Sequence, residues 1–270
     1  MKTRKRFGQH FLERVWAEKL VQVIAPQPGD VVLEIGPGTG ALTRPLAPRV
    51  ARLVAVEVDR DLAADLERTA PRNVQVVTGD FLAVDVRALF PAESGPIRVV
   101  GNLPYNISTP ILSRLVALSD AGRFVSDATV MLQREVADRL AAGPGSRDYG
   151  VLSVLVQLHA EISRALVLPP GAFRPPPQVT SAVVRLVFRE PAVRPADPRL
   201  FEQMVRALFM QRRKTLANAL KPFADTQSRS AAEAVAKAGL DPRRRPETLG
   251  LPELSELADV FASGSPPDVL

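Results

Sequence analysis

Short apolar runs alternate with segments of helical periodicity along the first two thirds of the chain. Such runs are typical of strands buried on both faces of a parallel sheet. We predict these strands at residues 31–35, 53–58, 74–78, 97–101 and 128–132, and helices at residues 41–50, 60–70 and 109–118. Strands that alternate with helices indicate an α/β fold, a doubly wound parallel sheet with helices on both faces. Two later runs, at residues 161–168 and 180–188, predict strands that complete the sheet.

Both ends of the chain carry helical patterns outside this alternation. An amphipathic helix before the main fold is predicted by apolar residues at helical spacing, namely Leu12, Val15, Trp16, Leu20, Val23 and Ile24. Residues 189–198 are rich in proline and charge and mark a domain boundary. Beyond them we predict helices at residues 201–211, 213–220, 230–240 and 251–262. The sequence thus predicts one domain at 1–190, including an N-terminal segment and helix at 1–24, and a small helical domain at 191–270.

The composition excludes several kinds of site. The 270 residues include no cysteine, which excludes a thiol nucleophile, a disulfide framework and a cysteine-ligated zinc site. The only histidines are His10 and His159, so we expect no metal centre. No apolar run approaches the roughly 18 residues of a membrane-spanning helix, and the basic start lacks the apolar segment of a signal peptide. We therefore expect a cytoplasmic protein with no membrane partner.

The charge of the chain favours a polyanionic partner. The formal net charge is +6, and basic residues cluster at 2–6, 212–214 and 243–245. Clusters of this kind attract phosphates independently of base sequence. The candidate nucleic-acid contacts are Arg4, Lys5, Arg6, Arg212, Arg213 and Lys214.

A glycine-rich loop, residues 34–40, joins the first predicted strand to the helix after it. Glycines let a ligand approach the backbone closely, and the start of a helix offers free N–H groups. The spacing of Gly36, Gly38 and Gly40 is G-x-G-x-G, which differs from the G-x-G-x-x-G of dinucleotide-binding proteins and from a P-loop. We predict that Glu34, Gly36 and Gly38 contact a ligand related to a nucleotide.

Two carboxylates follow the next two strands and define this ligand further. Glu57 ends the second strand, where a carboxylate can accept both hydroxyls of a ribose. Asp80 follows the third strand and can accept from an adenine amino group, with Phe81 beside the ring. The carboxyl ends of parallel strands share one edge of a sheet, where ligands bind. Ribose and adenine recognition without a pyrophosphate cradle indicates S-adenosylmethionine better than NAD.

An Asn-Leu-Pro-Tyr turn, residues 102–105, follows the fourth strand beside the glycine loop. The exocyclic nitrogen of adenine is a weak nucleophile because its lone pair is delocalised into the ring. If the Asn102 side-chain oxygen and the Leu103 carbonyl accept its hydrogens, the lone pair can point at the sulfonium methyl. Pro104 stiffens the turn, and Tyr105 can stack on the base. The turn predicts methylation of this nitrogen without a strong base, the alternative being a turn of purely structural role.

These motifs together resemble those of the ribosomal RNA adenine N6,N6-dimethyltransferases, and among them the small-subunit enzymes. The resemblance runs almost end to end, through Glu57 and residues 7–12, 34–40, 79–82, 102–109, 135–155, 173–179 and 209–218. It implies a Rossmann-like class I methyltransferase sheet followed by a small C-terminal helical domain that binds RNA or the ribosome.

The resemblance also implies roles for residues at matching positions. Gln9, His10 and Leu12 would lie in a segment that closes over the cofactor, with Asn102 as a further cofactor contact. His10 stands where many relatives carry asparagine. Phe173 would stack on the target adenine opposite Tyr105.

The implied reaction is dimethylation of two adjacent adenosines near the end of small-subunit ribosomal RNA, within an assembling subunit during ribosome biogenesis. We expect a monomer. Two alternatives stay open: a large-subunit ribosomal RNA adenine methyltransferase, which shares the core, and a non-catalytic ribosome-assembly factor. The Asn-Leu-Pro-Tyr turn and the helical tail favour the small-subunit enzyme, and the intact motifs favour catalysis.

Overall fold

The computed structural model describes residues 10–91 and 94–263. Within these ranges the chain forms two compact units, each with its own hydrophobic core. The first unit contains the described residues up to Ala137 together with Ala160–Glu190. The second contains Asp138–His159 and the described residues from Pro191 onward. The boundary predicted after residue 190 coincides with one of these divisions, whereas residues 138–159 were expected in the first domain.

The first unit is built on a seven-stranded sheet of described residues. The strands of this unit are β1 Phe11–Leu12, β2 Val31–Ile35, β3 Arg52–Glu57, β4 Val74–Thr78, β5 Ile97–Asn102, β6 Val125–Gln133, β7 Ala160–Leu168, β8 Phe173–Arg174 and β9 Ser181–Phe188. The order in the sheet is β4-β3-β2-β5-β6-β9-β7. Its first five strands are parallel, while β9 runs antiparallel to both β6 and β7. The sheet is therefore mixed, and β1 and β8 form a separate antiparallel pair.

Helices connect the strands of the first unit as the alternating pattern predicted. They are α1 Arg14–Ile24, α2 Thr43–Leu46, α3 Arg60–Glu67, α4 Ser108–Ser119 and α5 Arg134–Ala141, the last of which carries the chain into the second unit. The Asp59 carboxylate caps α3 by accepting from the N–H groups of Asp61 and Leu62. This cap lies two residues after the end of β3, so it fixes the turn that follows Glu57.

Three details of the first unit differ from the sequence prediction. β4 is an edge strand without a fully buried residue, so its apolar run does not signify burial on both faces. Val15 is 64% exposed, and α1 instead buries Ala17, Leu20, Val21 and Ile24. The helix predicted at 41–50 is reduced to α2 and a single 3-10 turn at Ala47–Arg49, because Pro48 has no N–H to continue an α-helix.

The second unit is helical. Its helices are α6 Val151–Gln157, α7 Pro198–Met210, α8 Leu216–Thr226, α9 Ala231–Lys237 and α10 Leu251–Ala262. Asp197 caps α7 by accepting from the backbone N–H groups of Arg199 and Leu200 at 2.8 and 3.0 Å. Ser230 caps α9 in the same way through the N–H of Glu233.

Residues 138–159 join the second unit because their apolar side chains complete its core. Tyr149 is buried, its ring meets that of Phe209 edge to face at 5.7 Å, and its hydroxyl donates to the Leu249 carbonyl at 3.1 Å. Val154 and Leu158 belong to the same core cluster. The helical pattern of this segment could not show which core it would enter.

Two kinds of feature are absent from the described residues. No helix in residues 10–91 and 94–263 is both long and apolar enough to cross a membrane. Within the same ranges no three or more histidine, aspartate or glutamate side chains are grouped so that they could hold a metal ion.

Candidate active site

A cavity opens at the carboxyl ends of β2, β3 and β5 and beside the loop after β4. Its wall contains every described residue that the sequence predicted to bind the cofactor, namely His10, Leu12, Glu34, Gly36, Gly38, Glu57, Asp80, Phe81 and Asn102. Leu103, Pro104 and Tyr105 of the predicted catalytic turn also line it. Gln9 lies outside the described residues. The structure thus brings together predicted site residues that are up to 95 positions apart in sequence, from His10 to Tyr105.

Glu57 holds the glycine loop in place. Its Oε2 accepts a hydrogen bond from the N–H of Gly38 at 2.9 Å, and its Oε1 accepts from the N–H of Asp59 at 2.9 Å. Gly38 has a φ of +56°, and a Cβ there would come within 3.1 Å of the Phe11 ring, so glycine is required. Burial raises the pKa of Glu57, and the two N–H groups partly oppose this shift. Each carboxylate oxygen keeps a second lone pair, which a ligand hydroxyl can use.

Glu34 is a buried carboxylate with an unsatisfied oxygen. It is 2% exposed, and its Oε2 has no hydrogen-bond partner among the described residues. Burial raises its pKa to about 7, and the nearby Glu57 carboxylate adds to the shift. Thr43 Oγ1 lies outside hydrogen-bonding geometry, since it also has no partner in the described part of the chain. An unpaired buried carboxylate is costly, so this wall of the cavity favours a ligand that brings a positive charge or a strong donor.

The loop after β4 places a carboxylate and a ring at the same cavity. The Oδ1 of Asp80 accepts from the backbone N–H of Leu82 at 2.9 Å, which leaves Oδ2 able to accept from a ligand. Asp80 is exposed, whereas the neighbouring Phe81 ring is 5% exposed and forms part of the wall. A flat apolar ring beside a single acceptor suits a heteroaromatic base that carries an amino group.

Asn102 is oriented by the N-terminal segment. Its Nδ2 donates to the backbone carbonyl of His10 at 2.9 Å. A carbonyl oxygen can only accept, so the amide nitrogen must face His10 and Oδ1 must face the other way. The next residue, Leu103, donates its N–H to the Met131 carbonyl at 3.1 Å, which joins the turn to β6. The turn therefore holds its acceptors from two sides.

Tyr105 is fixed at both its hydroxyl and its ring. The hydroxyl lies 2.6 Å from Ser181 Oγ at the start of β9, and the ring lies against the His10 imidazole with centroids 5.8 Å apart and planes at 26°. Burial raises the pKa of Tyr105, with the Ser181 hydrogen bond opposing the shift, so the phenol stays neutral near pH 7. Ser181 was missed by the sequence analysis, because only the long-range pairing of β9 with β6 brings it to the turn.

The described N-terminal segment is attached through the short β1–β8 pair. Phe11 lies opposite Arg174, and Leu12 lies opposite Phe173. Glu13 accepts a salt bridge from Arg174 at 2.7 Å, and its N–H donates to the Ala172 carbonyl at 2.9 Å. His10 Nδ1 lies 2.8 Å from the Pro175 carbonyl, so this nitrogen carries the proton.

Similarity to known proteins shows the family of this chain. A family model described as Ribosomal RNA adenine dimethylase matches residues 1–245. The chain belongs to this family. Ribosomal RNA small subunit methyltransferase A of Xanthomonas campestris pv. campestris (strain 8004) is 49% identical over 261 residues, which are 95% of each chain. The protein of the same name from Alcanivorax borkumensis is 44% identical over 271 residues, covering 99% of this chain and 92% of its own length.

Solved structures share the fold of this family member. A dimethyladenosine transferase from Plasmodium falciparum superposes with a TM-score of 0.76 at 22% identity, over 92% of this chain and 96% of its own. The 23S rRNA methyltransferase ErmE superposes with a TM-score of 0.68 at 26% identity, over 93% of this chain and 99% of its own. The predicted Rossmann-like methyltransferase sheet and helical C-terminal part are confirmed by these similarities.

Phe173 departs from its predicted position. We expected its ring to face a target base opposite Tyr105, but Phe173 is fully buried and is absent from the cavity wall. It packs in the core of the first unit with Leu12 and Val183. Side chains alternate across a strand, so in β8 Phe173 points into the core while Arg174 points outward. His10, which the resemblance assigned to the cofactor, lines the cavity, and its imidazole also lies against the Tyr105 ring.

The basic clusters of the second unit divide into paired and unpaired side chains. Arg212 binds Glu247 at 2.8 Å and the Arg147 carbonyl at 2.8 Å, so its guanidinium is already bound to other residues of the second unit. Arg243 and Arg244 form ion pairs with Asp241 and Glu253, respectively. Exposed cations that make no ion pair within the described residues include Arg213, Lys214, Lys221 and Arg245. Arg4, Lys5 and Arg6 lie outside the described residues.

Proposed function

We propose that this protein dimethylates N6 of two adjacent adenosines near the end of small-subunit ribosomal RNA, using S-adenosylmethionine. The observation that carries the proposal is the orientation of Asn102. Its Nδ2 is occupied by His10, so its Oδ1 is presented as an acceptor in a cavity that also holds Glu34, Glu57 and Asp80. The names of relatives at 44% and 49% identity support the small-subunit substrate.

The cavity suits S-adenosylmethionine at three separate points. Glu34, whose buried Oε2 is unsatisfied, would accept the positively charged part of the ligand. Glu57, already oriented by backbone N–H groups, would accept the ribose hydroxyls. Asp80 Oδ2 would accept the adenine amino group, with Phe81 along the ring. When bound, this cofactor supplies an electrophilic methyl group.

The Asn102–Tyr105 turn would then position the target nitrogen. Asn102 Oδ1 and the Leu103 carbonyl accept its two hydrogens, which directs the lone pair away from the ring plane. Tyr105 offers a ring for stacking, and its neutral hydroxyl is tied to Ser181. Positioning and electrostatics supply the catalysis, and the proton leaves to water. After the first transfer one hydrogen remains, so either acceptor can hold the monomethylated amine for the second.

The second unit would provide contacts to the RNA backbone. Arg213, Lys214 and Lys221 are exposed and available for phosphates, whereas Arg212 is held by Glu247. Lysine and arginine contacts of this kind weaken steeply with salt and do not depend on base sequence. We infer that the first unit binds the cofactor, that the second binds ribosomal RNA within an assembling small subunit, and that the enzyme acts as a monomer in the cytoplasm.

The direct test is methyl transfer to ribosomal subunits. The full chain is incubated with methyl-labelled S-adenosylmethionine and small subunits from a strain that lacks the modification, and nucleosides are identified after digestion. Asn102→Ala is compared with Asn106→Ala, since Asn106 is exposed, lies four positions later and is absent from the cavity wall. We expect N6,N6-dimethyladenosine from the wild type and Asn106→Ala, and a loss of at least about 100-fold in Asn102→Ala.

Other outcomes of this assay discriminate between the alternatives. Label in large-subunit RNA would assign the protein to the large-subunit enzymes, to which ErmE belongs by its name. Cofactor binding without label in either RNA would indicate a binding factor that has kept the fold and lost the reaction. Equal labelling by Asn102→Ala and the wild type would refute the mechanism while leaving the fold assignment intact.

A further inference from the structure

Arg114, on α4, grips the loop that carries Asp80 and Phe81. Its two terminal nitrogens donate to the backbone carbonyls of Leu82 and Val84, which lie 32 and 30 positions earlier in the chain. Its guanidinium carbon also lies 5.5 Å from the centroid of the Phe81 ring. Hydrogen bonds donated by a charged group are about twice as strong as neutral ones. The Arg114 side chain thus contacts Phe81, Leu82 and Val84 of this loop.

The loop at residues 80–84 is a tight turn whose geometry determines where Asp80 points. The Asp80 carbonyl accepts from the N–H groups of Ala83 and Val84 at 2.9 Å each, and Asp80 Oδ1 accepts from Leu82 at 2.9 Å. These bonds use the N–H groups of Leu82, Ala83 and Val84, whereas the carbonyls of Leu82 and Val84 accept from Arg114. The guanidinium forms no ion pair with a carboxylate in the described part of the chain, so its charge is matched by these carbonyl dipoles.

The same helix carries the other wall of the cavity. α4 begins at Ser108, three residues after Tyr105, and both its N-cap residue Ile107 and Ile111 within it line the cavity with Phe81. Arg114 lies three residues beyond Ile111, close to one helical turn, and is half-buried. Arg114 therefore connects the wall built by α4 to the loop that would face the adenine ring.

We propose that Arg114 is a positioning residue that sets the affinity for the adenosine part of the cofactor by holding the Asp80–Phe81 loop against α4. The inference rests on the proposed function for the identity of the ligand. Arginine is needed because its planar fork reaches two carbonyls at once, whereas the ammonium of lysine is a single point charge. Lysine at this position would retain the charge and one of the two contacts.

Arg87 provides a matched control. Its guanidinium stacks on Phe124 at 4.3 Å and donates to the Leu118 carbonyl of the same helix at 3.4 Å. Neither Arg87 nor Phe124 lines the cavity. Arg87→Met removes a comparable surface clamp on α4 without touching the ligand site.

The experiment measures the dissociation constants of S-adenosylhomocysteine and adenosine by calorimetry, with the full chain and without RNA. Arg114→Met is expected to raise both constants by the same factor, about tenfold, because only the adenosine contacts are misaligned. Arg114→Lys should give about a threefold rise, and Arg87→Met less than twofold. In steady-state assays KM for the cofactor should rise in Arg114→Met while kcat at saturation stays within about threefold.

Each outcome of these measurements either supports or overturns the role of Arg114. Unchanged constants in Arg114→Lys and Arg114→Met, or an equal rise in Arg87→Met, would overturn the inference and leave Arg114 a structural clamp. If Arg114→Met does not fold, the threefold effect in Arg114→Lys decides. A wild type that binds neither ligand would also overturn it. Binding that responds to Arg114 in a protein that methylates no RNA would sink the proposed function alone.

Discussion

The side-chain amide of Asn102 and the backbone carbonyl of His10 are joined by a 2.9 Å hydrogen bond across 92 positions of sequence. The bond fixes which end of the amide faces the cavity, so the described N-terminal segment takes part in aligning the Asn102–Tyr105 turn. The His10 ring lies against Tyr105 at the same time. The position of this segment and the alignment of the turn are therefore linked in this structure.

Asn102→Asp tests this relationship. A carboxylate has the same shape but cannot donate, so it would repel the His10 carbonyl and lose the alignment. We expect kcat to fall by about 100-fold or more, as for loss of a preorganised polar group in other active sites. Hydrogen exchange of the backbone at residues 11–13 should also become faster. Asn106→Asp is the control for the added charge, and slower turnover without faster exchange would contradict the proposed coupling.

Glu34 predicts a pH dependence of cofactor affinity. Burial holds its pKa at about 7, and a cationic ligand favours the ionised form. The dissociation constant of S-adenosylmethionine should therefore decrease as pH rises from about 6 to 8. Glu34→Gln should bind more weakly at pH 8 and lose this dependence. Calorimetry at several pH values checks it, and an unchanged pH profile in Glu34→Gln would assign the titration to another group.

The same raised pKa predicts that Glu34 destabilises the ligand-free protein at high pH. Between the unfolded value of 4.5 and the folded value of about 7, the folded state binds more protons, so stability falls as pH rises through this window. The full difference is on the order of 3 kcal/mol above pH 7. Glu34→Gln should therefore be more stable than the wild type at pH 8 and similar to it at pH 4. Urea unfolding at both pH values measures the difference.

Phe173 should matter for stability and little for turnover. Its ring is fully buried in the core, so Phe173→Ala is expected to cost about 3–5 kcal/mol of unfolding free energy. Phe173→Leu, which keeps most of the volume, should fold and retain kcat within about threefold. Tyr105→Leu, by contrast, removes a ring that lines the cavity. A large loss of kcat in stably folded Phe173→Leu would restore the stacking role that the family resemblance implies.

Basic residues with and without an ion pair should respond differently to substitution. Arg213→Ala with Lys214→Ala should weaken RNA binding uniformly and reduce the salt slope of the binding constant by about 2. Arg212→Ala should mainly lower the stability of the second unit by up to about 1 kcal/mol, because its pair with Glu247 is partly exposed. Filter binding at several salt concentrations and thermal unfolding separate these effects. Equal salt slopes for both mutants would contradict this difference.

Local patterns were sufficient for the elements that build the cavity. The apolar runs predicted β2, β3 and β5, and the polar residues directly after each strand predicted the wall. This works because carboxyl ends of parallel strands meet at one edge of the sheet. The antiparallel position of β9 was not predictable, since an apolar run carries no direction. The apolar run of β5 also conceals Arg98, which is buried between Asp30 at 2.6 Å and Asp127 at 2.9 Å.

Contacts between distant segments were beyond the reach of such patterns. The inward direction of Phe173 depends on its pairing with Leu12, and the grip of Arg114 depends on a loop 30 positions earlier. Residues 138–159 carry an ordinary helical pattern whose partner core is formed by a later part of the chain. Each of these features follows from tertiary packing, which periodicity does not encode.

The hydrogen bond between Tyr105 and Ser181 joins a residue of the cavity wall to a residue that is synthesised 76 positions later. β9 lies between β6 and β7 in the sheet, and Ser181 is its first residue. A nascent chain that has emerged only as far as residue 168 contains the glycine loop, Glu57, Asp80 and Asn102, yet Tyr105 still has no Ser181 to bind. β8 and β9, which hold the N-terminal segment and Tyr105, are therefore synthesised after every residue of the cavity wall, so both parts of the site are fixed only once the ribosome has added them.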